Sequence, residues 1–170
     1  SYRVSRSIRT NVAAACAIAA LSFSLSVQAA AADSADRLAR NARIKQSLER
    51  IKADDALTLR EQIELAEIPS PPFKEAVRAT SFLQRMQAAG LKDAYIDKEG
   101  NVIGLRKGTG KGPLLVLSAH LDTVFPEGTD VKVQQRDGRY YGRGLTDDSR
   151  GLAAVLAVLR AMEGAGIRTV

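Results

Sequence analysis

Between Asp148 and Glu163, apolar side chains recur at Leu152, Val155, Leu156, Leu159 and Met162, three or four residues apart, before Gly164 and Gly166 close the pattern. That spacing predicts one long helix with a single apolar face, and such a face has to be covered by another element. Upstream, the unbroken run Leu114-Leu115-Val116-Leu117 predicts a short strand buried on both sides. A helix that needs one cover and a strand that needs two require helices laid on a sheet, so the expected fold class is α/β.

Helices and strands alternate accordingly along the rest of the chain. Asp33 to Lys52 reads as a polar helix with Leu38, Ile44, Leu48 and Ile51 as its apolar stripe, and Asp55 to Glu67 as a second with Leu59 and Ile63 on one face. The second must stop before Pro69, because a residue preceding proline is driven out of the helical region, and Ile68-Pro69-Ser70-Pro71-Pro72 is a rigid, extended connection. Lys74 to Ala89 is a third helix built on Val77, Phe82, Leu83 and Met86 and ended by Gly90. Two hairpins are expected: Ala94 to Asp97 with Val102 to Arg106 around Gly100-Asn101, and Val131 to Gln135 with Arg139 to Tyr141 around Asp137-Gly138.

The N-terminus differs in kind. No acid precedes Asp33, and Arg3, Arg6 and Arg9 lie in the first ten residues. These three account for half of the formal net charge of +6, so the basic balance carries no argument for nucleic-acid binding. Val12 to Val27 is small and apolar, and Gln28 leads into Ala29 to Ala32. A basic start, a short apolar stretch and an alanine exit are the layout of a secretory signal peptide over residues 1–31, cleaved after Ala29 or Ala31. The stretch falls short of the roughly 20 residues that a membrane span needs. No stable membrane anchoring is therefore expected after cleavage, and the mature protein is expected to be secreted or periplasmic. An uncleaved anchor helix is the alternative. Cys16, the only cysteine, sits inside this stretch, which leaves the mature part without disulfides or thiolate metal ligands.

Two segments carry chemistry. In Ser118-Ala119-His120-Leu121-Asp122-Thr123-Val124 the only histidine follows the predicted strand, where open α/β sheets place ligand sites. Asp122 lies two residues on, so extended backbone puts both side chains on one side, and a carboxylate there can accept the second imidazole N–H and fix the tautomer for a metal. The plainer alternative is a histidine hydrogen-bonded at a strand end. In Tyr141-Gly142-Arg143-Gly144-Leu145-Thr146-Asp147-Asp148-Ser149 a glycine-rich loop delivers two adjacent acids to the start of the long helix. One acid is explained as a helix cap; the second is left over. The spacing is that of neither a P-loop nor a dinucleotide-binding loop. Phe125-Pro126-Glu127-Gly128 and Arg143 are open between a place near the site and a purely local role.

His-x-Asp after a strand, followed by Gly-x-Gly-x-x-Asp-Asp before a helix, resembles the M20 family (M20/M25/M40) of metallopeptidases and deacylases. That group contains carboxypeptidase G2-like enzymes, tripeptide aminopeptidases and acetylornithine deacetylase. The matching text is SAHLDTVFPEG and YYGRGLTDDSRGLAAVLAVLRAM, with EIPSPPFKEAVRATSFLQRMQAAG as the helical entry, and it runs from about Asp55 to the end. The resemblance implies that His120 binds one ion of a two-metal centre, that Asp147 bridges both ions, and that Asp122 is the active-site acid orienting His120. It further implies a cis peptide bond between Asp147 and Asp148. The ions would be zinc, with cobalt or manganese able to replace it, since the donors are nitrogen and oxygen and catalytic zinc keeps an open position.

The fold implied is the N-terminal half of a mixed-sheet, phosphorylase/hydrolase-like catalytic domain flanked by helices. Residues 1–31 would be the signal peptide, 32–54 a helical extension, and 55–170 a partial catalytic domain truncated before the smaller lid domain, through which a homodimer would form. The family also uses a Glu-Glu pair, a further acidic ligand and a late histidine, all expected beyond Val170. The function implied is hydrolysis of an amide bond, in a small peptide or an N-acyl amino acid, by metal-activated water, with this fragment inactive by itself. The alternative is an exported, non-catalytic binding module whose histidine and aspartates are structural.

Overall fold

The computed structural model describes residues 35–169. The expected signal peptide, with Cys16 and both cleavage points, lies outside the described residues. The chain divides into Ser1–Ile44 and Lys45–Val170, and every element that positions the site lies in the second unit. None of the described helices is long and apolar enough to cross a membrane.

The polar N-terminal helix is interrupted. Residues 35–40 form α1 and Ala42–Ala53 form α2, separated by Asn41. The Asn41 side-chain oxygen accepts the backbone N–H groups of Arg43 and Ile44 at 2.9 and 3.4 Å. Asparagine competes in this way for the amides that open a helix, so it starts a new one where apolar spacing alone predicted continuity to Lys52. α3 (Asp55–Ala66) ends ahead of Pro69 as expected. α4 (Ala76–Ala88) begins two residues after Lys74, and Gly90 beyond its end takes φ +119°, the left-handed conformation that suits glycine. α5 (Ser149–Gly164) is the long amphipathic helix.

Two short antiparallel ribbons occupy the predicted hairpin positions. β1 (Tyr95–Ile96) pairs with β2 (Val102–Ile103), and β3 (Gln134–Arg136) with β4 (Arg139–Tyr141). Asp137 and Gly138 both take positive φ, 50° and 71°, which turns β3 into β4 in two residues. The strand predicted at Leu114–Leu117 does not form: the four side chains are 58 to 80% exposed and unpaired in any sheet. A strand is held by hydrogen bonds along its edges, and each ribbon among the described residues consists of two strands already paired with each other and no third. The fold is thus helices with small antiparallel sheets, an α/β arrangement.

The core lies where α3, α4 and α5 meet, around Leu65, Phe82, Met86, Leu152 and Leu156, with Ala94 closing it from the β1 side. Charged residues frame this packing. Glu61 of α3 pairs with Arg160 of α5 at 2.9 Å, and Arg85 of α4 reaches Glu64 at 2.7 Å. Ala119 and Leu121 rest against the same core, which brings the histidine segment to its surface.

Candidate functional site

In extended backbone successive side chains point to opposite sides. Ala119 and Leu121 use one side for the core, so His120 and Asp122 share the other, where their side chains are 49% and 46% exposed. The glycine loop approaches from across the site. Gly144 takes φ +70°, and a Cβ there would come within 2.9 Å of the Thr123 methyl, so both the turn and the approach require glycine. Gln62 of α3 holds the loop from below by donating its side-chain amide to the Leu145 carbonyl at 2.7 Å.

The two adjacent acids divide the work. Asp148 caps α5, its Oδ1 accepting the Gly151 N–H at 3.0 Å. Asp147 makes no cap; its side chain is 83% exposed and its Oδ1 lies 2.8 Å from His120 Nε2. The peptide bond between the two is cis. The structure therefore brings together the three residues singled out in the sequence, with Asp122 at one nitrogen of the His120 ring and Asp147 at the other.

Both imidazole nitrogens face acceptors. Nδ1 lies 3.0 Å from the Asp122 backbone carbonyl and 3.1 Å from its Oδ1. Both are acceptors, so Nδ1 is placed to donate a hydrogen to them. In a neutral ring Nε2 is then a lone pair aimed at a carboxylate oxygen 2.8 Å away, and two lone pairs tolerate that distance only with a proton or a cation between them. Partial burial is the largest single influence on His120 and opposes its charge. The Asp147 carboxylate, the Asp122 carbonyl and the charges of Asp122 and Asp148 together outweigh it, and hold the imidazole pKa above its ordinary 6.5.

Nitrogen and oxygen donors without thiolate suit zinc, cobalt or manganese, and two ligands each about 2.0–2.2 Å from one ion can be as close as these atoms are. The pair thus fits a metal in kind, as part of a ligand set. Among the described residues no group of three or more His, Cys, Asp or Glu side chains is arranged to hold one. The pair opens into a cavity of about 300 Å³ lined also by Asp122, Val124, Phe125 and Arg143. Phe125 and Arg143 are so placed beside the site, and one Arg143 nitrogen donates to the Asp130 carbonyl at 2.9 Å.

Sequence reasoning missed the residues that hold this arrangement from behind. Besides Gln62, they are Ser70 and Arg78, which both bond to the Leu121 carbonyl, and Thr123, whose N–H donates to the Ser70 carbonyl at 2.8 Å. Their partners are backbone atoms, which leave no residue type to pair in the sequence. The one available signal was a serine and an arginine at positions where a helix entry needs neither.

The sequence model of peptidase family M20/M25/M40 matches residues 116–170, the stretch that holds His120, Asp122, Asp147 and α5. A Pyrococcus abyssi protein, provisionally named a LysW-lysine/LysW-ornithine hydrolase, is 42% identical over 93 residues, 55% of this chain and 26% of its own length. LysW-lysine hydrolase of Deinococcus radiodurans is 38% identical over 110 residues, 64% of this chain and 29% of its own. Carboxypeptidase G2 of Pseudomonas sp. (strain RS-16) is 37% identical over 79 residues, 45% and 19%. The family that the motifs resemble is the family these comparisons find: the chain is M20-like, and its relatives are hydrolases. It matches between 19% and 29% of the length of these three relatives.

Proposed function

We propose that this chain supplies the first metal-ligand loops of an exported M20-type hydrolase that cleaves amide bonds in small peptides or N-acyl amino acids. His120 would bind one ion of a zinc pair through Nε2, and Asp147 would bridge both ions, with cobalt or manganese able to replace zinc. When bound, zinc supplies Lewis acidity toward an amide carbonyl and a source of hydroxide at neutral pH. Asp122 is placed to accept a hydrogen on Nδ1, which leaves Nε2 for a metal, and Asp148 caps α5 and holds the backbone of His120, so that Asp147 is not used as the cap. The cavity of about 300 Å³ suits a substrate at the small end of the ligand range.

The observation that carries this reading is the 2.8 Å approach of Nε2 to the Asp147 carboxylate while Nδ1 is committed elsewhere. The similarity to hydrolases supports the reaction class, and the signal-peptide layout of residues 1–31 supports a periplasmic or secreted location. Catalytic zinc takes three protein ligands, and His120 and Asp147 are two ligands for two ions. Residues 32–170 alone are therefore proposed to bind zinc weakly and to hydrolyse nothing, with the remaining ligands and a dimer-forming smaller domain supplied by further sequence. The test is calorimetric titration with zinc chloride of the chain and of Asp147→Ala. The affinity is expected to fall at least tenfold in the variant. Equal affinities would favour an exported binding module in which these residues are structural.

A further inference from the structure

We propose that Ser70 and Arg78 form a clamp on the Leu121 carbonyl that positions His120 and Asp122, a role that rests on reading His120 as a metal ligand. Leu121 is the residue between the two. Its carbonyl accepts two bonds, from the Ser70 hydroxyl at 2.8 Å and from Arg78 Nη1 at 3.0 Å. A carbonyl oxygen has two lone pairs, and both are used. This fixes the plane of the peptide that leads into Asp122, the residue whose carbonyl and carboxylate fix the imidazole. Thr123 continues the grip on the far side, with its N–H and hydroxyl both donating to the Ser70 carbonyl, at 2.8 and 3.2 Å.

Both clamp residues are out of solvent, Arg78 wholly and Ser70 to 1% exposure. Arg78 Nη2 donates to the Ile68 carbonyl at 2.6 Å, so one guanidinium ties the histidine segment to the chain leaving α3. A buried guanidinium bonded to carbonyls is a poor device for stability alone, because apolar side chains of similar volume fill such a place as well or better. Burial works against its charge, and the Asp122 carboxylate supports it. What the cation does here that an apolar residue cannot is hold the one carbonyl that lies between the two site residues.

His120 is the only histidine, so long-range ¹H–¹⁵N spectra of the metal-free chain report a single imidazole. At a pH where the ring is neutral, Asp147→Ala, which removes the carboxylate facing Nε2, is expected to show the Nδ1–H form, and the spectra of the clamp variants are compared in that background. Ser70→Ala, which removes one donor with little change in volume, is expected to keep the far-UV signal and shift the ring toward the mixture of tautomers found in free imidazole. Its zinc affinity should fall about tenfold or more, the usual effect of losing a partner that orients a ligand. Arg78→Lys, which retains one donor, should give a smaller shift of the same sign. A folded Ser70→Ala chain with the parental spectrum and parental zinc affinity would overturn the clamp. So would a Ser70→Ala chain that has lost its fold, since the role would then be structural. If the unsubstituted chain binds no zinc, the reading of His120 and Asp147 as a zinc-holding pair falls, while the spectra still decide whether the clamp orients the ring.

Discussion

Oδ2 of Asp148 accepts the backbone N–H of His120 at 3.1 Å, joining residues 28 apart, while Oδ1 of the same carboxylate caps α5 through Gly151. One side chain therefore both starts the helix and pins the candidate ligand to that start. It satisfies an orphan helix amide and places negative charge at the positive end of the helix dipole, two effects of the same sign.

That double role makes Gly151 sensitive. A Cβ at this position would lie 2.1 Å from Asp148 Oδ1, so Gly151→Ala has to displace the carboxylate. The variant is expected to lose about 1–2 kcal/mol in urea denaturation, as for a lost helix cap, although alanine is the better helix former. Gly164→Ala, where a Cβ meets nothing within 4 Å, is expected to be neutral or to gain up to about 1 kcal/mol. Similar losses at both positions would show that the cap is not responsible.

The elements most legible in the sequence were those with local causes. Leu152, Leu156 and Leu159 recur at helical spacing and are buried along α5, and Asp137-Gly138 turns its hairpin by backbone conformation alone. His120, Asp122 and Asp147 stood out because residue type and spacing carried them. The apolarity of Leu114–Leu117 predicts a buried strand, yet burial depends on a neighbouring strand that four residues cannot specify. Asn41 leaves little trace in the sequence because its effect is one hydrogen-bonded cap inside an otherwise even helical pattern. The supports of the site, Gln62 to Leu145 and Arg78 to Leu121, join residues 83 and 43 apart through carbonyls, to which every residue type contributes alike.

The core should respond as a close-packed unit. Leu156 is fully buried among Leu65, Phe82 and Leu152, so Leu156→Ala is expected to cost about 2–5 kcal/mol by the same denaturation measurement. Leu115→Ala, at a side chain 69% exposed, should change stability by less than about 0.5 kcal/mol. A large loss at Leu115 would show that this run is covered in solution.

Glu61 presents a different cost. It is buried, lies 2.9 Å from Arg160 and is 3.9 Å from Arg85. Removing it strands the Arg160 guanidinium, whereas Arg85 keeps Glu64 at 2.7 Å. Glu61→Ala is accordingly expected to lose about 3–5 kcal/mol, the penalty of a stranded buried charge. The double variant Glu61→Leu with Arg160→Leu should recover part of the loss, and a double variant worse than the single one would contradict this account.

Acid should weaken the tie between α3 and the β3 hairpin. Glu67, at the end of α3, accepts the Val133 N–H at 3.0 Å and the Lys132 ammonium at 2.9 Å. The Val133 amide contributes most, and with Lys132 it lowers the carboxyl pKa below its ordinary 4.5 against burial and the nearby Asp130 charge. A folded value below the unfolded one means that the unfolded chain takes up the proton first. The stabilisation is therefore complete above about pH 4.5 and is lost as the pH falls through the lower folded value. Asp97 is depressed as well, chiefly by the Asn101 side chain, and loses its contribution in the same direction. Comparing urea midpoints of the unsubstituted chain with Glu67→Gln isolates the first term. The gap between them is expected to be constant near neutrality and to close as the carboxyl is protonated. A gap that stays open in acid would mean that Glu67 holds the hairpin through shape and neutral hydrogen bonding, not through its charge.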